Sequence, residues 1–149
     1  MNEQEIHHLL YDIPENVDYT DIPQELDLED VPKERVDKLR DLLHSDDLAV
    51  RFDAALLLTN WGVEDGLNTL IDLFEKGETK GFIPHHLHPY DDTNKHILDA
   101  LIGYWASQTD LHKEQEARKR IYPTIISIIK QAVHSAYSIA QIGFLIKKI

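Results

Sequence analysis

Between Ser45 and Glu75 the apolar positions fall into two matching ladders. Val50, Ala54, Leu57, Leu58 and Trp61 stand at i, i+4, i+7, i+8 and i+11, and Val63, Leu67, Leu70, Ile71 and Phe74 repeat that spacing thirteen positions later. A period of 3.6 residues brings each set onto one face of a helix. Trp61-Gly62 separates the two, and glycine takes the left-handed conformation that ends a helix without a Cβ penalty. Asp46 or Asp47 is placed to cap the first helix by accepting from its free N–H groups. The stretch predicts a helical hairpin with one shared apolar face, in which Val50, Ala54, Leu58, Leu67, Leu70 and Phe74 are buried.

The flanks keep the same spacing more loosely. Residues 2–11 predict a short amphipathic helix through Ile6, Leu9 and Leu10. Pro14, Pro23 and Pro32 rule out one continuous helix across 12–32, since proline lacks the amide donor and restricts the residue before it. Ile13, Val17, Tyr19, Ile22, Leu26, Leu28 and Val31 nevertheless make that stretch more apolar than a disordered linker needs. An ordered acidic segment lying over the helices, with a turn of helix in it, is expected. Pro32 suits the first position of the following helix, whose buried side is Val36, Leu39, Leu42 and Leu43. Gly77, Gly81, Pro84 and Pro89 then mark a loop that is long for a helical domain. Asp91-Asp92-Thr93 offers a cap, and Ile97, Leu101, Tyr104 and Trp105 recover the ladder. A partner helix runs through Ala117, Ile121, Ile125, Ile128 and Ile129, with Pro123 calling for a kink or a helix start near Tyr122. A last helix from about Ser135 carries Ile139, Ile142, Ile146 and Ile149.

The cap aspartate, Val50-Arg51, Ala54-Ala55, the leucine that follows, the glycine turn and Gly66-Leu67-x-x-Leu70 together resemble a HEAT repeat. That resemblance implies an all-α fold of stacked antiparallel helical hairpins, a short right-handed α–α superhelix, with a diverged second unit beginning near Ile97. It also implies that Arg51 links neighbouring repeats through carboxylates, and it brings no activity with it. The six glycines and six prolines are too few for a many-stranded β fold with its turns. A chain of 149 residues suits one domain. It divides into an acidic segment, 1–32, and helical repeats, 33–149.

Charge changes this picture most. The chain carries a formal net charge of −12, and residues 1–32 hold ten carboxylates and no Lys or Arg. From Lys33 onward acids and bases nearly balance, while the tail from Lys113 is locally basic. A section so acidic repels phosphate backbones and attracts cationic partners, so direct nucleic-acid binding is not expected. The basic stretch around Arg118, Lys119 and Arg120 could supply compensation by folding back. No run of eighteen apolar residues suggests a membrane span, the N-terminus has neither a basic leader nor an apolar core of a secretory signal, and the lack of cysteine suits a reducing cytoplasm.

Candidate chemistry is sparse. His85, His86 and His88, with Tyr90, Asp91 and Asp92, crowd imidazoles and carboxylates into one loop segment. Such ligands suit zinc or another divalent ion, yet no H-E-x-x-H pattern is present and a loop of packed histidines is the simpler reading. Neither a metal nor any other cofactor is expected. Asp46-Asp47, Glu64-Asp65 and Asp91-Asp92 are paired carboxylates of the kind used in acid–base catalysis. All three sit at predicted helix starts, where they complement the helix dipole. No nucleophile elbow, phosphate-binding loop or dinucleotide fingerprint appears, so no catalytic residue is assigned.

Small size, an acidic first third, a helical scaffold and no catalytic motif are similar to small immunity proteins of bacterial contact-dependent and polymorphic toxin systems. That likeness implies a non-catalytic inhibitor that binds and occludes a cationic toxin, a nuclease among the candidates. Asp18, Asp21, Glu25, Asp27, Glu29 and Asp30, with His85, His86, His88, Tyr90, Asp91 and Asp92, are the expected partner-binding residues. A HEAT-like adaptor is the second class consistent with the same scaffold, and a metal-dependent enzyme built on the His85–Asp92 loop the third.

Overall fold

The computed structural model describes residues 1–84 and 91–132, and it is all-α. Six helices are present among these residues: α1 (Glu3–Tyr11), α2 (Lys33–Leu42), α3 (Leu48–Asn60), α4 (Glu64–Glu75), α5 (Thr93–Asp110) and α6 (Glu114–Ala132). Two single 3-10 turns, Pro23–Glu25 and Leu28–Asp30, lie between α1 and α2. The expected final helix from Ser135 lies outside the described residues. None of the described helices is long and apolar enough to cross a membrane.

α3 is the hub. It packs against α4, α5, α2, α1 and the first 3-10 turn, while α6 lies on α5 and also reaches α4. Two successive hairpins, α3/α4 and α5/α6, thus stand side by side. The start of α3 is set by Asp47, whose carboxylate accepts from the amides of Ala49 and Val50 at 3.0 and 3.4 Å. Its end is set by Gly62 at φ +83°, and there an added Cβ would sit 2.6 Å from Cβ of Ser107 on α5. At Gly66 the two arms of the hairpin touch: an added Cβ would overlap Cβ of Leu58 and lie 3.1 Å from the Ala55 carbonyl oxygen. Small residues at Ala54, Ala55 and Gly66 therefore permit the close approach, and leucines fill the space on either side.

Ala54, Leu58, Leu67, Leu70 and Phe74 are buried as the ladders predict, but Val50 is only half-buried at the entry to α3. Burial around α3 is wider than one face. Phe52, Ala55, Leu56 and Thr59 are also enclosed, because α3 has neighbours on several sides. Pro32 precedes α2 as its cap residue rather than opening it. α6 runs unbroken from Glu114 through Pro123 to Ala132, so no helix begins near Tyr122. Arg51 pairs with no carboxylate among the described residues, and its buried Nε has no hydrogen-bond partner. The expected carboxylate link between repeats is therefore not made there.

Phe82 folds back from the long connection to stack on Phe52 of α3, with ring centroids 4.9 Å apart and planes 24° apart. An isolated antiparallel bridge joins Pro84 to Asp91.

Candidate functional site

The acidic segment is ordered by a few anchors. Pro23, Leu26 and Val31 are buried, and Ile13 and Val17 pack partly against the core. The decisive bond is polar. Trp61, at the end of α3 and 2% exposed, donates its indole N–H to the Pro23 carbonyl at 2.9 Å. The Arg35 guanidinium lies 5.4 Å from the centroid of the same indole ring, and its Nε donates to the Leu9 carbonyl at 2.9 Å. One tryptophan and one arginine thereby tie α1, the 3-10 turns, α2 and α3 together. Burial pushes the Arg35 pKa down, with Asp12 opposing it. A cation on an aromatic face contributes about 0.5–2 kcal/mol depending on its desolvation.

With Pro23, Leu26, Val31 and one carbonyl turned inward, the segment turns its carboxylates outward, and Tyr19, Ile22 and Leu28 stay exposed beside them. Asp18, Asp21, Glu25, Asp27 and Glu29 are exposed and Asp30 is half-buried. Local hydrogen bonds hold several of them. Tyr19 accepts from the Asp27 amide and donates to the Asp30 carboxylate, both at 2.9 Å. The amide bond lowers the phenol pKa, desolvation and Asp30 raise it, and the net shift is upward. Thr20 donates to Glu25 at 2.8 Å. Carboxylate oxygens of Asp27, Glu29 and Asp30 come within 4.8 Å of one another, the oxygen-only donor set that hard cations favour. The sequence gives no direct signal for that convergence, which needs the second 3-10 turn to form.

No Lys or Arg among the described residues forms an ion pair with any of these six acids. Three bases pair elsewhere: Lys38 meets Glu5 and Glu34, Arg40 meets Asp37 and Asp65, and Lys76 meets Asp72. Arg120 donates to Asn68 on α4 at 3.0 Å. The basic stretch of α6 therefore does not compensate the acidic segment by pairing with it.

Of the loop residues, His85, His86, His88 and Tyr90 lie outside the described residues. Asp91 is a closing bracket. Its carboxylate accepts from the Gly81 amide at 2.8 Å, from the Thr93 amide at 3.0 Å and from the Thr93 hydroxyl at 2.6 Å. Burial pushes its pKa up, but the bonds from Thr93 and Gly81 and the charge of Lys80 hold it below the usual range. Asp92 precedes α5 without a side-chain capping bond, while its amide donates to the Ile83 carbonyl at 2.7 Å. Asp91 thus ties Gly81 to Thr93 at the start of α5 through its carboxylate, while Asp92 contributes through its backbone amide.

A groove of about 590 Å³ opens beside the acidic segment. Residues 24–29 form one wall, Asn60, Trp61 and Gly62 the floor, and Ser107, Gln108, Asp110 and Leu111 the other wall. The buried Gln108 braces that junction by donating its side-chain amide to the Gly62 carbonyl at 3.2 Å. Sequence reading missed the second wall, because α5 lies far downstream. No family model, curated protein or solved structure matches the chain.

Proposed function

We propose that this chain is a non-catalytic binding protein that neutralises a basic protein partner, in the manner of an immunity protein that occludes a cationic toxin. The observation that carries this reading is the acidic segment. Six carboxylates are held on an ordered surface by buried anchors, and no Lys or Arg among the described residues pairs with them. Clustered like charges repel and raise the free energy of the folded chain. A cationic partner relieves that repulsion on binding and is drawn in by it beforehand, which raises the association rate more than the lifetime of the complex.

The scaffold supports the reading from a second side. The segment rests on α3, the most enclosed helix, so the charges are presented at fixed positions instead of on a floppy tail. Preorganisation of this kind reduces the ordering cost of binding.

The test is capture followed by kinetics. Tagged wild-type chain and a variant with Asp18, Asp21, Glu25, Asp27, Glu29 and Asp30 changed to amides are used to capture partners from cells of the source organism. The expected result is a basic protein retained by the wild type, whose toxicity is suppressed when the chain is co-expressed. Association measured against ionic strength should be roughly tenfold slower for the variant at low salt, with a shallower salt dependence. Equal salt slopes and full affinity in the variant would refute a role for these acids.

A further inference from the structure

Resting on the reading above, we propose that the groove between the acidic segment and the C-terminal end of α5 is the docking cleft for one basic segment of the partner, a loop or terminus bearing a large apolar side chain beside Lys or Arg. Three features point to that occupant. The lining contains four carboxylates, Glu25, Asp27, Glu29 and Asp110, and no Lys, Arg or His among the described residues. Three come from residues 24–29 and one from the end of α5, so two separate stretches of the chain bring negative charge to the groove. Exposed leucines accompany them, one from each wall, Leu28 at 42% and Leu111 at 60%.

A purely acidic surface would attract any polycation. Exposed leucines in the same lining add a demand that polycations such as spermidine do not meet, namely a large hydrophobic group placed beside the charge. The volume of about 590 Å³ falls within the range of ligand-binding clefts. The floor is fixed, since Trp61 is held by Pro23 and Gly62 by Gln108. Asp110 and Leu111 also lie outside the acidic first third, so they separate groove docking from general attraction to that segment.

The experiment uses the full chain, isotopically labelled, and synthetic peptides as probes: Ser-Arg-Leu-Arg-Ser, the same peptide with Leu replaced by Ser, and spermidine. Amide and indole N–H resonances are followed by NMR. The first peptide is expected to shift signals from residues 24–29, 60–62 and 107–111, and the serine peptide to bind roughly tenfold more weakly. Asp110→Asn and Leu111→Ser, both on an exposed helix end, should each weaken the first peptide at least roughly threefold with melting temperature unchanged. Equal binding of the serine peptide or spermidine, shifts centred elsewhere, or no shifts at millimolar peptide would each overturn the groove as a selective cleft. The captured partner distinguishes the two readings. If the six-amide variant slows its association while Asp110→Asn and Leu111→Ser leave affinity intact, the cleft is wrong and acidic recognition stands. If none of these variants changes association, both are wrong.

Discussion

The α3/α4 hairpin and the acidic segment at residues 12–32 are both ordered, but by opposite means. The hairpin uses two apolar ladders, so its stability is spread over many buried side chains. The acidic segment depends on Pro23, Leu26, Val31 and one indole bond, and leaves nearly all its polar surface outside. Redundancy suits a scaffold. Sparse anchoring keeps most of the carboxylates out of the packed interior, which suits the partner-binding role proposed for them.

That contrast is broken most severely in the hairpin. Leu70→Ala removes a fully buried side chain of α4, and should cost about 2–5 kcal/mol through lost transfer energy and a residual cavity. Chemical denaturation measures it, and an unchanged midpoint would show that the ladder is not the core. Trp61→Phe is the corresponding lesion in the acidic segment. It keeps an aromatic ring for Arg35 but leaves the Pro23 carbonyl without its donor, at a cost of about 1–3 kcal/mol. Faster amide exchange should then be concentrated in residues 12–32, with α4 unaffected. Uniform acceleration throughout would mean that the segment is no separate unit.

Asp53 on α3 sharpens the comparison at their junction with α1. Burial, then the charge of Asp47, raise its pKa, and a hydrogen bond with Tyr11 only partly offsets them. The raised folded value means that its contribution to stability is fully present below the unfolded aspartate pKa and is lost as pH rises through the folded one. Asp53→Asn should therefore raise the melting temperature at pH 7, with the gain vanishing under strongly acidic conditions. A lower melting temperature at pH 7 would show that the ionised carboxylate is needed. The smallest effect on stability belongs to the six-amide variant. Amides preserve acceptors for Tyr19 and Thr20, so its melting temperature should stay level or rise slightly as repulsion falls. A marked drop would assign these acids a structural purpose.

How much of this was readable in the sequence depends on distance along the chain. The ladders, the Asp47 cap and the Gly62 turn are local and follow from spacing and conformational preference. The order of the acidic segment was legible as an excess of apolar residues, but its latch was not. Trp61 and Pro23 are 38 positions apart, and nothing at either residue announces the other. Val50 misled because a helix entry is open to solvent even when its face is right, and Phe52 was passed over because a ladder describes one face of a helix that has several. Pro123 lies within a continuous helix, supported by Ile121, Thr124 and Ile125 buried around it. Asp110 and Leu111 entered the groove only when the fold brought them into one lining with residues 24–29.

The Trp61 latch also has a consequence in time. Its indole proton is sealed between a carbonyl from the acidic segment and the body of the protein, so solvent reaches it only when that contact opens. Backbone amides inside α3 answer to opening of the scaffold instead. Two clocks therefore run in one residue neighbourhood, and the ratio of their exchange rates measures how often the acidic segment lifts away while the helices beneath it remain closed.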